Sequence, residues 1–257
     1  MTVNQERSIW TRLFAGRSPY QEARFDEDAN RVLAYYRNHG YVTVRVGAPE
    51  LLFVRDSADK KTRFVDLRIP VVEGYRYKVG ELSFAGNRVI KSDALRPMFK
   101  VERGAYYSEQ AIRNGLMKAR QAYGAAGYFE FTGYPDYKFR NVPGATELEP
   151  PEALKADVPK PPAAPPRVDV TMRLSEGKRY LVNRLTLTGN TTRGTVIRRE
   201  VRLIEGGVFN TEALKDSIKR LNQLGYFKPI EGTRDVDVQK TPGEDNKVDV
   251  QLTLEDR

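Results

Sequence analysis

The chain has no cysteine, a single histidine and a single tryptophan in 257 residues. Without thiols there is neither a disulfide framework nor a thiolate metal site, although that leaves the compartment open. With His39 as the only imidazole, neither a Ser-His-Asp triad nor a His/Cys metal cluster can be assembled. His39 stands before Gly40 at the expected end of a helix, where a cation is ordinary electrostatics. Phosphate loops are missing too, since Glu205-Gly206-Gly207 is not followed by the Lys-Ser/Thr pair that would hold phosphate and metal. The carboxylates Asp26 and Asp28 lie at a helix start, where acidic residues are favoured anyway. These absences describe a protein without catalytic residues, metal or cofactor. No apolar run approaches the roughly 18 residues of a membrane span, and the first residues lack the apolar core of a signal peptide. The chain therefore reads as cytosolic or as an internal fragment behind an added Met1.

The 43 basic residues outnumber 34 acidic ones, for a net charge of +9. Such a surplus suits nucleic acid, anionic lipid or acidic protein partners. The basic residues are interleaved with Asp and Glu almost throughout, however, and that pattern describes a solvated surface. A nucleic-acid-binding module stays open as the reading from a different class.

What is present is repetition. A strand-like run opens at Tyr180 and ends in Gly189-Asn190; Glu205-Gly206 precedes a helix starting near Asn210-Thr211. Gly225-Tyr226-Phe227 ends that helix, and alternating Val248-Asp249-Val250 begins the closing strand. Subtracting 103 maps Gly189-Asn190 onto Gly86-Asn87, Glu205 onto Glu102, Thr211 onto Ser108 and Gly177 onto Gly74. One offset fitting four separated landmarks marks a structural repeat. Three units follow: 1–75, which begins inside the repeat without its opening strand; 76–178, with a proline-rich insertion at 141–167; and 179–257. The insertion carries Pro143, Pro150, Pro151, Pro159, Pro161, Pro162, Pro165 and Pro166, and such a stretch is extended rather than packed.

Each full unit reads strand–helix–helix–strand–strand, an α+β fold in which two helices cover one face of a three-stranded mixed sheet. In the first unit Asp26 is the expected N-cap of a helix with Ala29, Val32, Leu33 and Tyr36 on one face. A strand over 41–46 and a returning strand over 64–72 follow. A helical pattern over residues 9–14 stands before them. In the second, Ser108 caps a helix with Ile112, Leu116 and Ala119 inward, stopped by Gly127. In the third, a helix over 195–204 turns Ile197, Val201 and Ile204 inward, and Leu214, Ile218, Leu221 and Leu224 form the second helix's inner stripe. Residues 226–230 read as an edge strand because Pro229 lacks a donor, with a hairpin of 234–238 and 248–254 after it. The aromatics Tyr41, Tyr128, Phe129, Tyr226 and Phe227 plug the core at the helix–strand corner.

A three-stranded sheet leaves backbone N–H and C=O groups unpaired at its edge, and an extended peptide can add there. By position after the second helix, the client edges are Tyr41, Val42, Val44 and Val46 in the first unit and Tyr128, Phe129 and Phe131 in the second. Arg198, Arg202 and Glu205 line one face of the 195–204 helix, where spacing alone makes them solvated intrahelical ion pairs.

The order Gly-Asn, Glu-Gly, Gly-Tyr-Phe and closing Val-Asp-Val resembles the POTRA domain, and 189–227 is similar to the last POTRA of BamA-like outer-membrane β-barrel assembly proteins. That resemblance implies tandem POTRA repeats on the periplasmic side of the bacterial outer membrane, with signal peptide and C-terminal β-barrel outside this sequence. It implies unfolded outer-membrane clients and assembly lipoproteins or other machine subunits as partners, with Arg202 and Glu205 matching a partner-docking surface. A POTRA arm of a secretion or translocation barrel is the alternative within the same fold.

Overall fold

The computed structural model describes residues 25–56, 58, 63–141, 164–189, 194–232 and 234–256. The helical pattern at 9–14 and most of the proline-rich insertion lie outside the described residues. The chain divides into two compact units, each built from several segments.

The first unit comprises the described parts of Met1–Leu82, Val101–Ile112 and Tyr137–Thr171. It opens with α1 (Phe25–Asn38), whose first turn carries Asp26, Glu27 and Asp28 against the positive helix end. Asp26 is thus inside the first turn rather than the N-cap. Ala29, Val32, Leu33 and Tyr36 are half-buried on one face, and Gly40 (φ 102°) lets the chain leave. The strand expected over 41–46 shrinks to β1 (Arg45–Val46), paired antiparallel with β4 (Val71–Val72), while 42–43 form a turn. β2 (Glu50–Asp56) and β3 (Arg63–Arg68) form a separate antiparallel hairpin. So the returning strand is cut in two, and the described part of the first repeat has two short ladders instead of one three-stranded sheet. Pro70 sits at the break; it has no N–H to continue a ladder, and its carbonyl instead receives the Gly47 amide at 2.9 Å.

β5 (Lys78–Ala85), α3 (Glu109–Ala125), β6 (Thr132–Arg140) and β7 (Arg167–Ser175) contribute residues to both units. The three strands form one sheet in the order β5-β7-β6, so β6 is an edge and its Pro135 is tolerated. Ser108 caps α3 as expected, its hydroxyl accepting from the Ala111 amide at 3.4 Å. Within the first unit Tyr77, Val79, Tyr107, Val168 and Val170 are buried, and the hydroxyls of Tyr107 and Tyr137 meet at 2.7 Å. Burial pushes the Tyr77 hydroxyl up to about 12.

The second unit holds the described parts of Ser83–Lys100, Arg113–Asp136 and Met172–Arg257. Its helix α2 (Ser92–Leu95) passes into a 3-10 turn at Arg96–Met98, because Pro97 suits the start of a turn but not a helix interior. A complete repeat follows: β8 (Leu181–Thr188), α4 (Gly194–Glu200), α5 (Thr211–Leu224), β9 (Val236–Lys240) and β10 (Lys247–Thr253). β10 lies between β8, to which it is parallel, and β9, to which it is antiparallel. Ile197, Leu214, Leu221, Val250 and Leu252 anchor its core. At roughly 25 cal/mol per Å² of apolar surface, removing this layer from water is the main stabilising contribution.

Two expectations for this repeat fail for local reasons. The helix of 195–204 ends at Glu200, after which the chain is extended, so Leu203 is buried and Ile204 is 74% exposed. Ser217 enforces that path, for its buried hydroxyl accepts the Arg202 amide at 2.8 Å and donates to the Ala213 carbonyl at 2.6 Å. Residues 226–230 are not a strand: Phe227 makes one isolated bridge to Asp256, and the Asn222 side chain takes the Ile230 amide at 2.9 Å.

The repeated sequence landmarks have repeated physical causes. A Cβ on Gly86 would stand 2.1 Å from the Leu174 carbonyl oxygen, and one on Gly189 would stand 2.9 Å from that of Leu254. Both residues also have positive φ, so the turn after the opening strand requires glycine. In each repeat the Asp of the closing Val-Asp-Val serves the opening strand: Asp169 accepts the Glu81 amide at 2.9 Å, and Asp249 accepts from the Asn183 side chain at 2.7 Å. Asn183 is where the β8–β10 register shifts.

Candidate functional site

The structure brings Arg198 and Glu205 to one point and leaves Arg202 apart. Arg198, in the last turn of α4, reaches the Leu185 carbonyl at 3.5 Å. Glu205, in the loop before α5, accepts the Leu185 amide at 2.8 Å. Both therefore act on the outer edge of β8, so the intrahelical ion pairing expected from spacing is replaced by capping of a strand. Backbone bonds from the same loop complete the cover, with Val182 donating to Gly207 and Gly206 to Val182 at 2.8 and 2.7 Å. Arg202 lies beyond the helix end with its side chain about half exposed, 3.8 Å from Asp216. Beside it projects Ile204, which helical spacing assigned to the core; no local signal in the sequence marks the helix end that turns it outward.

The strand positions expected to take clients are placed differently. Tyr41 and Val42 lie at a turn, Val44 is buried, and Val46 is paired with Val71. Tyr128 and Phe129 also lie at a turn, and Phe131 is buried with its ring stacked 4.2 Å from that of Tyr123. The edge strands of the two three-stranded sheets are β5 and β6, and β8 and β9, and of these β8 is covered by the 205–208 loop. On β6, Tyr134 is 62% exposed.

The corner aromatics divide as well. Phe227 is buried in its own core and Tyr226 is exposed, whereas Phe129 packs edge-on against Tyr180 and Phe209 of the following repeat, with centroids 4.7 and 5.3 Å apart. Phe129 is thus a joint residue, not a plug. The joint recurs: Tyr77 donates its amide to the Gly40 carbonyl at 2.8 Å, and Tyr180 donates to the Gly127 carbonyl at 2.9 Å. Around the second joint the Glu130 carboxylate accepts from Tyr180 Oη at 2.8 Å and pairs with Lys240 Nζ at 2.5 Å. Those bonds, from Lys240 first and Tyr180 next, hold the Glu130 carboxyl below its ordinary range.

Elsewhere the polar groups serve the fold. Glu176 accepts the Arg88 and Val89 amides, both at 2.9 Å, and the Tyr123 hydroxyl at 2.6 Å. Burial, with that carboxylate beside it, raises the Tyr123 hydroxyl well above the usual range. His39 contacts the Tyr35 carbonyl through Nδ1 at 2.6 Å at the end of α1. Among the described residues no cluster of acidic or histidine side chains is placed to hold a metal, and no helix is long and apolar enough to cross a membrane.

Two small α+β repeats with one strand order, one set of turn glycines and one joint define a tandem-repeat domain protein. The POTRA family, described as a surface antigen variable number repeat, matches residues 77–177 and 180–257, and the chain belongs to that family. The outer membrane protein assembly factor BamA of Neisseria meningitidis is 28% identical over 98% of this chain and 28% of its own length. That of Nitratidesulfovibrio vulgaris is 26% identical over 92% of this chain and 27% of its own length. The chain therefore spans little more than a quarter of these relatives. Among solved structures, POTRA domains 3–5 of Haemophilus influenzae BamA superpose with a TM-score of 0.67 at 20% identity, covering 99% of this chain and 93% of theirs. The fold is that of tandem POTRA domains.

Proposed function

We propose that this chain is a non-enzymatic scaffold on the periplasmic side of an outer membrane, part of a machine that assembles β-barrel proteins. The observation that carries the reading is the match to assembly factors over nearly the whole chain, joined to POTRA matches over two consecutive repeats. In this reading unfolded barrel precursors add as strands to an open sheet edge, a mode that reads backbone more than sequence and so tolerates many clients. β6 suits that role, because it is nine residues long and lies at the edge of its sheet. Assembly lipoproteins or other subunits dock beside α4, where Arg202 and Ile204 are exposed, and the arm works together with a membrane β-barrel. The edge of β8 does not take clients, since the 205–208 loop already occupies it.

The test is photo-crosslinking in cells from Tyr134 on β6, with Val42 and Tyr128 alongside. Adducts to unfolded outer-membrane proteins at Tyr134 are expected. A protein that supports barrel assembly yet yields no client adducts from β6 would overturn the strand-addition mechanism.

A further inference from the structure

The two joints share a backbone pivot but are locked by different chemistry. At the first, within the first compact unit, the Arg76 guanidinium lies 3.5 Å over the Tyr106 ring and donates to the His39 carbonyl at 2.8 Å. At the second, within the second unit, Arg179 takes the place of Arg76: their Cγ atoms stand 3.2 and 3.1 Å from where a Cβ would sit on Gly127 and Gly40. The counterpart of Tyr106 is Val208, because Tyr106 bridges Lys78 as Val208 bridges Leu181. Valine has no ring face for a cation, so the aromatic lock cannot form there.

Ion pairs stand in its place. Lys240, the last residue of β9, pairs with Glu130 on the turn after α3, and Glu130 also holds the Tyr180 hydroxyl. Lys178, in the segment between the repeats, pairs at 2.9 Å with Asp245 on the β9–β10 turn. These pairs line an open pocket of about 500 Å³ together with Gly177 and Thr241. Phe129 supplies the apolar wedge behind them.

We propose that the Glu130–Lys240 and Lys178–Asp245 pairs form an electrostatic clamp that sets the orientation of the third repeat against the second, and that ionic strength or neutralisation of Glu130 opens it. The pivot at Gly127–Tyr180 and the Phe129 wedge persist when the clamp opens, so the third repeat swings without unfolding. Exposed ion pairs are screened by salt, with a Debye length of about 3 Å at 1 M. The cation–π lock of the first joint responds far less, because it rests on contact with the ring face. The first joint carries an ion pair too, Arg37 with Glu109 at 3.6 Å, but its cation–π contact stays in place, so salt loosens the second joint more than the first.

The absence of cysteine makes the test direct. Spin labels at Met117→Cys on α3 and Lys219→Cys on α5, both exposed, report on the second joint by pulsed electron resonance. Labels at Tyr35→Cys and Arg103→Cys report on the first. Raising salt from about 0.05 to 1 M is expected to broaden the 117–219 distance distribution at least twofold and 35–103 by clearly less. Glu130→Gln at low salt reproduces the broadening, and the reversed pair Glu130→Lys with Lys240→Glu narrows it again. Equal widths for wild type and Glu130→Gln, or failure of the reversed pair to restore the narrow distribution, would overturn the clamp. Lys240→Met, which alters only an exposed side chain, decides the matter in the same way should a Glu130 variant fold poorly.

Discussion

Glu205 binds the backbone amide of Leu185 at 2.8 Å, across twenty residues of chain, and so closes the outer edge of β8 with a carboxylate. Charge-assisted bonds to backbone N–H groups are among the stronger ones a surface side chain makes. Glu205→Ala should therefore lower stability by about 1–3 kcal/mol, leaving the Leu185 amide without its acceptor. Arg202→Ala, whose exposed side chain lies 3.8 Å from Asp216, should change stability by about 0.5 kcal/mol or less. Urea denaturation separates the two. If partner docking falls in Arg202→Ala while the unfolding midpoint holds, the loss belongs to the interface and not to the fold.

The turn glycines give a ranking. Gly86→Ala places a Cβ 2.1 Å from a backbone oxygen at positive φ, where neither side can yield cheaply. Gly189→Ala meets its carbonyl at 2.9 Å, and Gly104→Ala, also at positive φ, meets nothing within 4 Å. Gly104→Ala should cost about 1 kcal/mol, the usual left-handed penalty. Gly189→Ala should cost more and Gly86→Ala the most, more than about 3 kcal/mol, which in a small repeat is a large part of its stability. A thermal series that put Gly104→Ala below Gly86→Ala would contradict the geometry.

These two cases show where the sequence was legible. Gly86 and Gly189 are visible through the 103-residue offset, and Asp169 and Asp249 through the Val-Asp-Val shared by the closing strands, because their roles are local or pairwise within one repeat. Ile204 and Phe129 were not. Helical spacing puts Ile204 inward, but Ser217, from another helix, captures the Arg202 amide and ends the helical path four residues early. Phe129 shares its Gly-Tyr-Phe context with Phe227 yet packs into the next repeat, because Phe131 fills its own core instead. The strands expected at 41–46 and 128–132 begin later for a related reason: their strand-like composition runs through turns, and the ladders start only at Arg45 and Thr132.

Ser217 makes its own prediction. Its hydroxyl is fully buried with a donor and an acceptor both satisfied at 2.8 and 2.6 Å. Ser217→Ala orphans the Arg202 amide, so it should cost about 1–3 kcal/mol despite alanine's better helix propensity. Amide exchange at Arg202 and Leu203 should accelerate in the same variant, while exchange in β10 should follow only the global change. A neutral Ser217→Ala would show that the extended path past Glu200 is held by Leu203 burial alone.

The Glu130 carboxyl is held below its ordinary range, first by the Lys240 ammonium and then by the Tyr180 hydroxyl. A group whose folded pKa is depressed contributes stability that is present above its unfolded value and is lost as pH falls through the folded one. For an unfolded glutamate near pH 4.3, the contribution is complete at neutral pH and declines only in the acid range. Glu130→Gln removes the proton-binding difference, so the variant should be less stable than wild type at pH 7 and converge on it toward pH 3, roughly one unit below that reference value. The check is a set of denaturation midpoints across pH 3–7 for both proteins. Lys178 and Asp245 sit nearby and stay constant in both, so the difference curve isolates Glu130. Parallel curves with a fixed offset would mean that Glu130 acts through packing against Tyr180 and not through its charge.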